Sequence, residues 1–284
     1  MAVDPRLRTV LVTNDSLNSL LALSEFLREF GEQIVGVFVT TKLPGEKSNL
    51  VGTLRMLRQS GVRYTGFKIL TNVVLPPLAR AIGRSSSVTE FLRRLGHSPA
   101  VLRCATINAP DVQARIAELR PALLLGAGAT HVFSASTLAL PSVAAINLHP
   151  SLLPRYAGIS PYFWALANGD ERTGATLHQM VARLDAGPII EQRARPLAEV
   201  RSVLELNDWT WEANSRMLID FYRRGASLAD VRAQDLTERS YVRHPDRGDV
   251  ARFRRGGRTF VRLADAPRFL RRLDTLRTSR SGDR

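Results

Sequence analysis

Arg8-Thr9-Val10-Leu11-Val12-Thr13, followed by Asn14-Asp15-Ser16 and then by Leu17, Leu20, Leu21, Leu23 and Leu27 before Gly31, decides the fold. The first six residues read as a strand, with Val10, Leu11 and Val12 apolar in succession, the mark of a strand covered on both faces in a parallel sheet. Asn14-Asp15-Ser16 supplies capping side chains, the leucines recur at helical spacing, and Gly31 ends the helix. Gln33 to Val39 reads as a second strand. Strand, helix and strand at this separation form a βαβ unit, which places the two strands parallel in one sheet. Outward from it, Ala100 to Cys104 reads as strand and Asp111 to Leu119 as helix. Pro121 introduces a further strand, Ala122 to Leu125. The expected class is α/β, a Rossmann-like, mostly parallel sheet with flanking helices.

Further along, Val143 to Ile146 runs into Asn147-Leu148-His149-Pro150. Side chains on a strand repeat every two residues, so Asn147 and His149 share a face. Pro150 has no N–H for the ladder and stops the strand. Ligands of open α/β sheets bind beyond the carboxyl ends of strands, which is where this pair falls. Asp185 arrives later on a turn closed by Ala186-Gly187-Pro188. Taken singly, Asn147 is an ordinary turn residue, His149 an ordinary core imidazole and Asp185 a turn former. Ser151 could be a nucleophile beside His149, but it lacks the Gly-x-Ser-x-Gly elbow of a hydrolase.

Three spaced blocks carry more than the single residues do. Asn147-x-His149-x-Ser151-Leu152-Leu153-Pro154-x-Tyr156-x-Gly158, Gly174-x-Thr176-x-His178 and Leu184-Asp185-x-Gly187-x-Ile189 together resemble the folate-dependent formyltransferase family. That family includes glycinamide ribonucleotide, methionyl-tRNA and sugar-amine N-formyltransferases. The resemblance implies transfer of a formyl group from N10-formyltetrahydrofolate to an amine, with no metal. Asn147 would donate to the tetrahedral oxyanion, His149 would relay the amine proton, and Asp185 would orient the imidazole. Thr130, His131, Val132, Met180 and Leu184 would line the folate pocket, with Asn14, Ser16 and Ser151 on the acceptor side. Gly126-Ala127-Gly128 lets backbone come close to a flat heterocycle.

Departures from the family pattern bear on the acceptor. Glycinamide ribonucleotide enzymes hold a phosphate on a Gly-rich turn after the first strand. Here the turn has no glycine, and Asp15 would repel a phosphate, so a purine-pathway substrate is disfavoured. Ala157 stands where many relatives carry arginine or lysine, which weighs against tRNA. The expected acceptor is therefore a small amine, either an amino sugar on a nucleotide or an amino-acid-derived amine. Methionyl-tRNA is the runner-up, and a non-catalytic nucleic-acid-binding protein on the same scaffold is a third reading.

The 284 residues, 44% of them hydrophobic, suffice for one large core or for one domain and an appendage. A net charge of +14, nearly all from arginine, suits an anionic small molecule or nucleic acid. The single Cys104 excludes an internal disulfide and is expected to be a small buried residue. No apolar run reaches membrane-spanning length, and Met1 to Leu7 is charged and too short for a signal peptide. A soluble cytoplasmic protein is the expectation.

The catalytic domain is expected over residues 1–225, with a helical insertion at 50–96 whose apolar residues pack on the sheet or on a second subunit of a homo-oligomer. Within it Ser87-Val88-Thr89-Glu90 reads as a capping box. Pro161 to Asn168, Gly174 to Met180, Ile189 to Arg195 and Val203 to Tyr222 read as helix, strand, strand and long helix. Residues 226–284 form an Arg-rich C-terminal extension. It has a short helix at Asp249 to Arg254, strand-like Thr259 to Leu263, and a disordered end from 275 to 284. This extension shows too little alternation for the barrel that methionyl-tRNA enzymes carry after their catalytic domain.

Overall fold

The computed structural model describes residues 4–40, 49–129 and 131–278. Strand β1 (Thr9–Thr13) leads into α1 (Leu17–Phe30) and β2 (Ile34–Thr40). Ser16 caps α1 by accepting from the Ser19 N–H. Helices α2 (Asn49–Ile69), α3 (Leu75–Ala81) and α4 (Val88–Arg94) precede β3 (Ala100–Cys104) and α5 (Pro110–Glu118). Then come β4 (Leu123–Ala127), α6 (Ala135–Leu138), β5 (Ala144–His149), β6 (Ala157–Gly158) and α7 (Pro161–Ala167). Strands β7 (Arg172–Gln179) and β8 (Ile189–Pro196) are followed by α8 (Val203–Arg223), β9 (Tyr241–Val242), α9 (Arg247–Arg255) and α10 (Ala266–Asp274).

Seven strands form one sheet in the order β3-β2-β1-β4-β5-β7-β8, the first five parallel and the last two pairings antiparallel. This is the mostly parallel Rossmann-like sheet expected. Connections leave β1 in one direction and β4 in the other, so the crevice between them is the topological switch point. Alternate residues of β1 serve two cores. Leu11 packs with α1 and α8, whereas Val10 and Val12 pack with Val112 and Ile116 of α5. Each such fully buried aliphatic side chain contributes about 1.5–3 kcal/mol of transfer free energy.

The insertion breaks its first helix at Gly61, whose φ of 78° is left-handed. Beyond it Tyr64 and Phe67 join the core next to α1, along with Val88, Phe91 and Leu92 of α4. Leu50, Val62, Val73 and Leu78 stay exposed. Ser87 caps α4, but Glu90 reaches the N–H and hydroxyl of Ser86, so the expected capping box is offset by one residue. Cys104 is half-buried and not enclosed, because β3 is the edge of the sheet and has a neighbour on one side only.

The chain beyond Gly225 lies on the same core. Val242, Val250, Phe253, Phe260, Phe269, Leu273 and Leu276 are all buried in it. The strand-like reading of Thr259 to Leu263 fails there, since Thr259 makes one isolated bridge to Ser202; helix α10 follows in a stretch with no expected element. Residues 275–278 are ordered, since Leu276 is fully buried and the Arg28 guanidinium donates to the carbonyls of Thr275 and Arg277. The remaining part of the expected disordered end, 279–284, lies outside the described residues. No helix among the described residues is long and apolar enough to cross a membrane.

Candidate active site

Strand β5 lies between β4 and β7, and its register sets Asn147 opposite His178 and His149 opposite Thr176. His149 is buried, with Nε2 2.9 Å from the carbonyl oxygen of Tyr156. A carbonyl only accepts, so Nε2 carries hydrogen and donates to it. Nδ1, the nitrogen left to take or give a proton, faces Asp185 Oδ2 at 3.5 Å. The same carboxylate oxygen accepts from the Gly158 N–H at 2.9 Å. Its other oxygen lies 3.8 Å from Nε2 of His178.

His178 completes the cluster. Its Nδ1 donates to the Gln179 carbonyl at 2.7 Å, which leaves Nε2 as an acceptor. Asn147 Nδ2 sits 3.2 Å from that nitrogen and donates to it. The amide therefore turns its NH2 group toward the histidine, and its second N–H remains available. Burial pushes the His178 imidazole down to about 4; Asp185 opposes this and His149 adds to it. A neutral ring is what keeps the Asn147 hydrogen bond.

The loops around these side chains are wound into uncommon backbone. Tyr156 (φ 59°), Ser160 (φ 55°) and Asp185 (φ 51°) are non-glycine residues in the left-handed region. Such residues cost about 1–3 kcal/mol each and persist only where the surroundings hold them. Here the C-terminal segment does so. Gln234 Nε2 donates to the carbonyls of Asp185 and Gly187, and Arg239 donates to that of Leu184. Ser240 accepts from the Tyr156 and Ala157 N–H groups through its hydroxyl and its carbonyl respectively. Strand β9 then pairs with β6.

Asn147, His149 and Asp185 thus come together as the sequence spacing suggested. Met180 and Gly126 adjoin them: a Cβ built on Gly126 would lie 2.8 Å from Asn147 Oδ1 and 3.5 Å from Met180 Sδ. Leu184 is partly buried one residue before Asp185, and Val132 is half exposed. His131 is partly buried, and burial lowers its pKa. Thr130 lies outside the described residues.

On the other side of the switch point, Asn14 Oδ1 accepts from the Ser19 hydroxyl at 2.8 Å, directly beside Gly128. Ser16 is the helix cap. Ser151 is fully buried, its hydroxyl donating to the Arg155 carbonyl at 2.7 Å, so in this structure it braces the loop and does not face the crevice. Asp15 likewise is not turned toward a ligand. Its carboxylate accepts from the N–H and hydroxyl of Thr89 and lies 3.5 Å from Arg103.

Sequence reasoning did not single out His178 as a partner of Asn147, although its place on the Thr176 face of a strand was legible. Gln234, Arg239 and Ser240 left no signal, because they bind backbone groups and lie far away in the chain. An amide N–H, a proton-accepting ring nitrogen and a buried carboxylate at the ends of strands can stabilise an oxyanion and move a proton.

A family described as formyl transferase matches residues 43–221. Methionyl-tRNA formyltransferase of Thermotoga maritima is 30% identical over 179 residues, covering 62% of this chain and 57% of that protein. The protein of the same name in Roseiflexus castenholzii is 37% identical over 167 residues, covering 58% and 53%. The chain thus spans little more than half the length of these relatives. Among solved structures, the N-formyltransferase from Helicobacter canadensis in complex with folinic acid and dTDP-3-aminofucose has a TM-score of 0.53 at 14% identity, covering 83% of this chain and 70% of that one. Glycinamide ribonucleotide transformylase 1 from Symbiobacterium toebii has a TM-score of 0.51 at 22% identity, covering 80% and 94%. At these identities the likeness is one of fold.

Proposed function

Because the chain belongs to the formyl transferase family, we propose that it moves the formyl group of N10-formyltetrahydrofolate to the amine of a small molecule. The amine nitrogen adds to the formyl carbon, and the carbonyl oxygen becomes an oxyanion. The free N–H of Asn147 donates to that oxyanion, an interaction whose loss costs about 2.7–4 kcal/mol in comparable sites. His149, held with Nδ1 toward Asp185, takes the proton released by the amine. The C–N10 bond then breaks, the proton passes to N10, and tetrahydrofolate and the formamide leave. Transfer needs no covalent enzyme intermediate and rests on holding donor and amine together. Val132, Met180 and Leu184, with the small residues Gly126 to Gly128, form the folate side. Asn14 and Ser16 lie on the acceptor side.

The cluster Asn147–His178–Asp185–His149 is the observation that carries this reading. A small acceptor is supported by the way residues 226–278 fold back to brace the loops of Tyr156 and Asp185. Methionyl-tRNA is the second reading, supported by the names of the two relatives from Thermotoga maritima and Roseiflexus castenholzii and by the net charge of +14. The test is a panel of amines, methionyl-tRNA included, incubated with formyl-tetrahydrofolate while tetrahydrofolate release and product mass are followed. Transfer to a small amine is expected. Preference for methionyl-tRNA over every small amine would replace the first reading with the second, and release with no acceptor at all would overturn both.

A further inference from the structure

Of the 40 basic residues, only Lys42, Lys47 and Lys68 are lysines, and only Lys68 lies within the described residues. It sits on α2 in a setting unlike that of the surface arginines. Its Nζ donates to the Tyr162 hydroxyl at 3.2 Å and lies 5.5 and 5.8 Å from the ring centres of Tyr64 and Tyr162. Among the described residues no carboxylate pairs with it, whereas Arg193, Arg195, Arg223 and Arg272 all have acidic partners. Burial works against the ammonium charge, and the phenol oxygens of Tyr162 and Tyr64 more than offset it, holding the amine above its ordinary value. His244 adds no second charge, since burial and the Lys68 ammonium push it down to about 4.

The placement of this cation relates it to the catalytic cluster. Tyr64, Lys68 and Asn72 are spaced four residues apart, the first fully buried, the second partly buried and the third exposed. Tyr64 shares a hydrogen bond with Ser160, 2.9 Å away. Ser160 is two residues beyond Gly158, whose N–H holds Asp185, so their Cα atoms are at most about 7 Å apart. Asn72 accepts from Asn18 at 3.1 Å, in the first turn of α1 behind Asn14 and Ser16. Leu70 to Val74 is a π-helical turn, a distortion frequent at functional sites. These contacts therefore link Ser160, near the residue that holds Asp185, to the first turn of α1, with a cation that has no carboxylate partner among the described residues between them.

We propose that Lys68, flanked by Tyr64 and Tyr162, binds the anionic substituent, a phosphate or a carboxylate, of the acceptor amine. The assignment to an acceptor rests on the formyl-transfer reading; the anion site itself does not. A compact ammonium beside two phenol rings offers a point charge to either anion, where a guanidinium would present a planar fork.

The native protein tests this without a variant. Lysines are acetylated with limiting acetic anhydride in chloride, inorganic pyrophosphate or citrate at matched ionic strength, and each site is quantified by mass spectrometry. Pyrophosphate or citrate is expected to slow modification of Lys68 at least about fivefold relative to Lys42 and Lys47, and whichever protects identifies the anion. Equal rates in all three salts, or equal slowing at all three lysines, overturn the proposal. In the amine panel, Lys68→Met, checked for folding by circular dichroism, should lower the preference for anionic over neutral amines at least about tenfold, and Lys68→Arg should restore it only in part. An unchanged preference overturns the acceptor assignment. Protection of Lys68 in a protein that formylates no amine would sink that assignment too, while failure of protection in an active enzyme would leave formyl transfer standing.

Discussion

Asn147 Nδ2 lies 3.2 Å from Nε2 of His178, and the histidine can accept because its other nitrogen is already donating to the Gln179 carbonyl. A chain of assigned hydrogen-bond roles thus fixes which way the Asn147 amide points. Its oxygen lies toward Gly126 and its second N–H is left for a ligand. The antiparallel pairing of β5 with β7 is what brings the two residues opposite each other.

Replacing Asn147 by alanine should therefore remove an oxyanion donor and little else. Its side chain is partly buried and its only side-chain partner among the described residues is His178. The expected outcome is a fall in kcat of about 10²–10³ with KM little changed. The melting temperature should stay within a few degrees. A variant that keeps more than a tenth of the turnover would show that Asn147 is not the donor.

The His178 imidazole makes stability depend on pH. Its folded value of about 4 lies below the 6.5 of an unperturbed histidine. Between those values the unfolded chain binds a proton that the folded chain does not, so stability falls as pH drops from about 6.5 toward 4 and is fully present above that window. The direction is opposite to that of a histidine gaining an acidic partner. The loss is on the order of 3 kcal/mol at the acid end. In a proton NMR titration the His178 ring signals should hold their neutral positions from neutral pH down to about pH 5. Midpoint movement near 6.5 would contradict the neutral ring and with it the Asn147 hydrogen bond.

Asp185 has two separable tasks, since its carboxylate faces two imidazoles and also accepts from the Gly158 N–H. Asp185→Asn keeps an acceptor for Gly158 while removing the charge. Turnover should drop at least about 100-fold with stability nearly intact. Asp185→Ala also strands the Gly158 N–H and should cost about 1–3 kcal/mol further in unfolding free energy. Equal melting temperatures for the two variants, measured by calorimetry, would remove the loop-holding task. Near-normal turnover of Asp185→Asn would remove the catalytic one.

What could be read in advance follows from the range of each interaction. β3 is bounded by residues 100 and 104 as its short apolar run indicated, and Asn147 and His149 share a face because strand periodicity is local. α10 has no legible apolar stripe for a specific reason. Arg272 points inward to Asp208, Glu25 and Glu212, so a charge interrupts the apolar stripe of Phe269 and Leu273. The braces from Gln234, Arg239 and Ser240 join side chains to carbonyls or N–H groups some 50–80 positions away. Backbone partners have no residue type, and no pattern in the sequence marks them. Lys68 carries no sequence signal either, being one polar residue on a helix whose partners come from α7 and the C-terminal segment.

Gly126 offers the sharpest test of how the amide is held. It lies in β4 beside Asn147, and an added methyl would come within 2.8 Å of Asn147 Oδ1. Real Cβ atoms do not approach so closely, so in Gly126→Ala the amide must rotate or shift. Either movement breaks its hydrogen bond to His178 and misdirects the free N–H. The Gly126 backbone is ordinary strand, so the cost to folding should be no more than about 1–3 kcal/mol of local overpacking. Turnover should nonetheless fall as far as in Asn147→Ala. The double variant then decides the matter. If the methyl acts through the amide, adding Gly126→Ala to Asn147→Ala should cost nothing further in kcat, a coupling as large as either single effect. Additive losses would mean that Gly126 matters for another reason, such as room for the donor, and that the orientation of Asn147 does not depend on it.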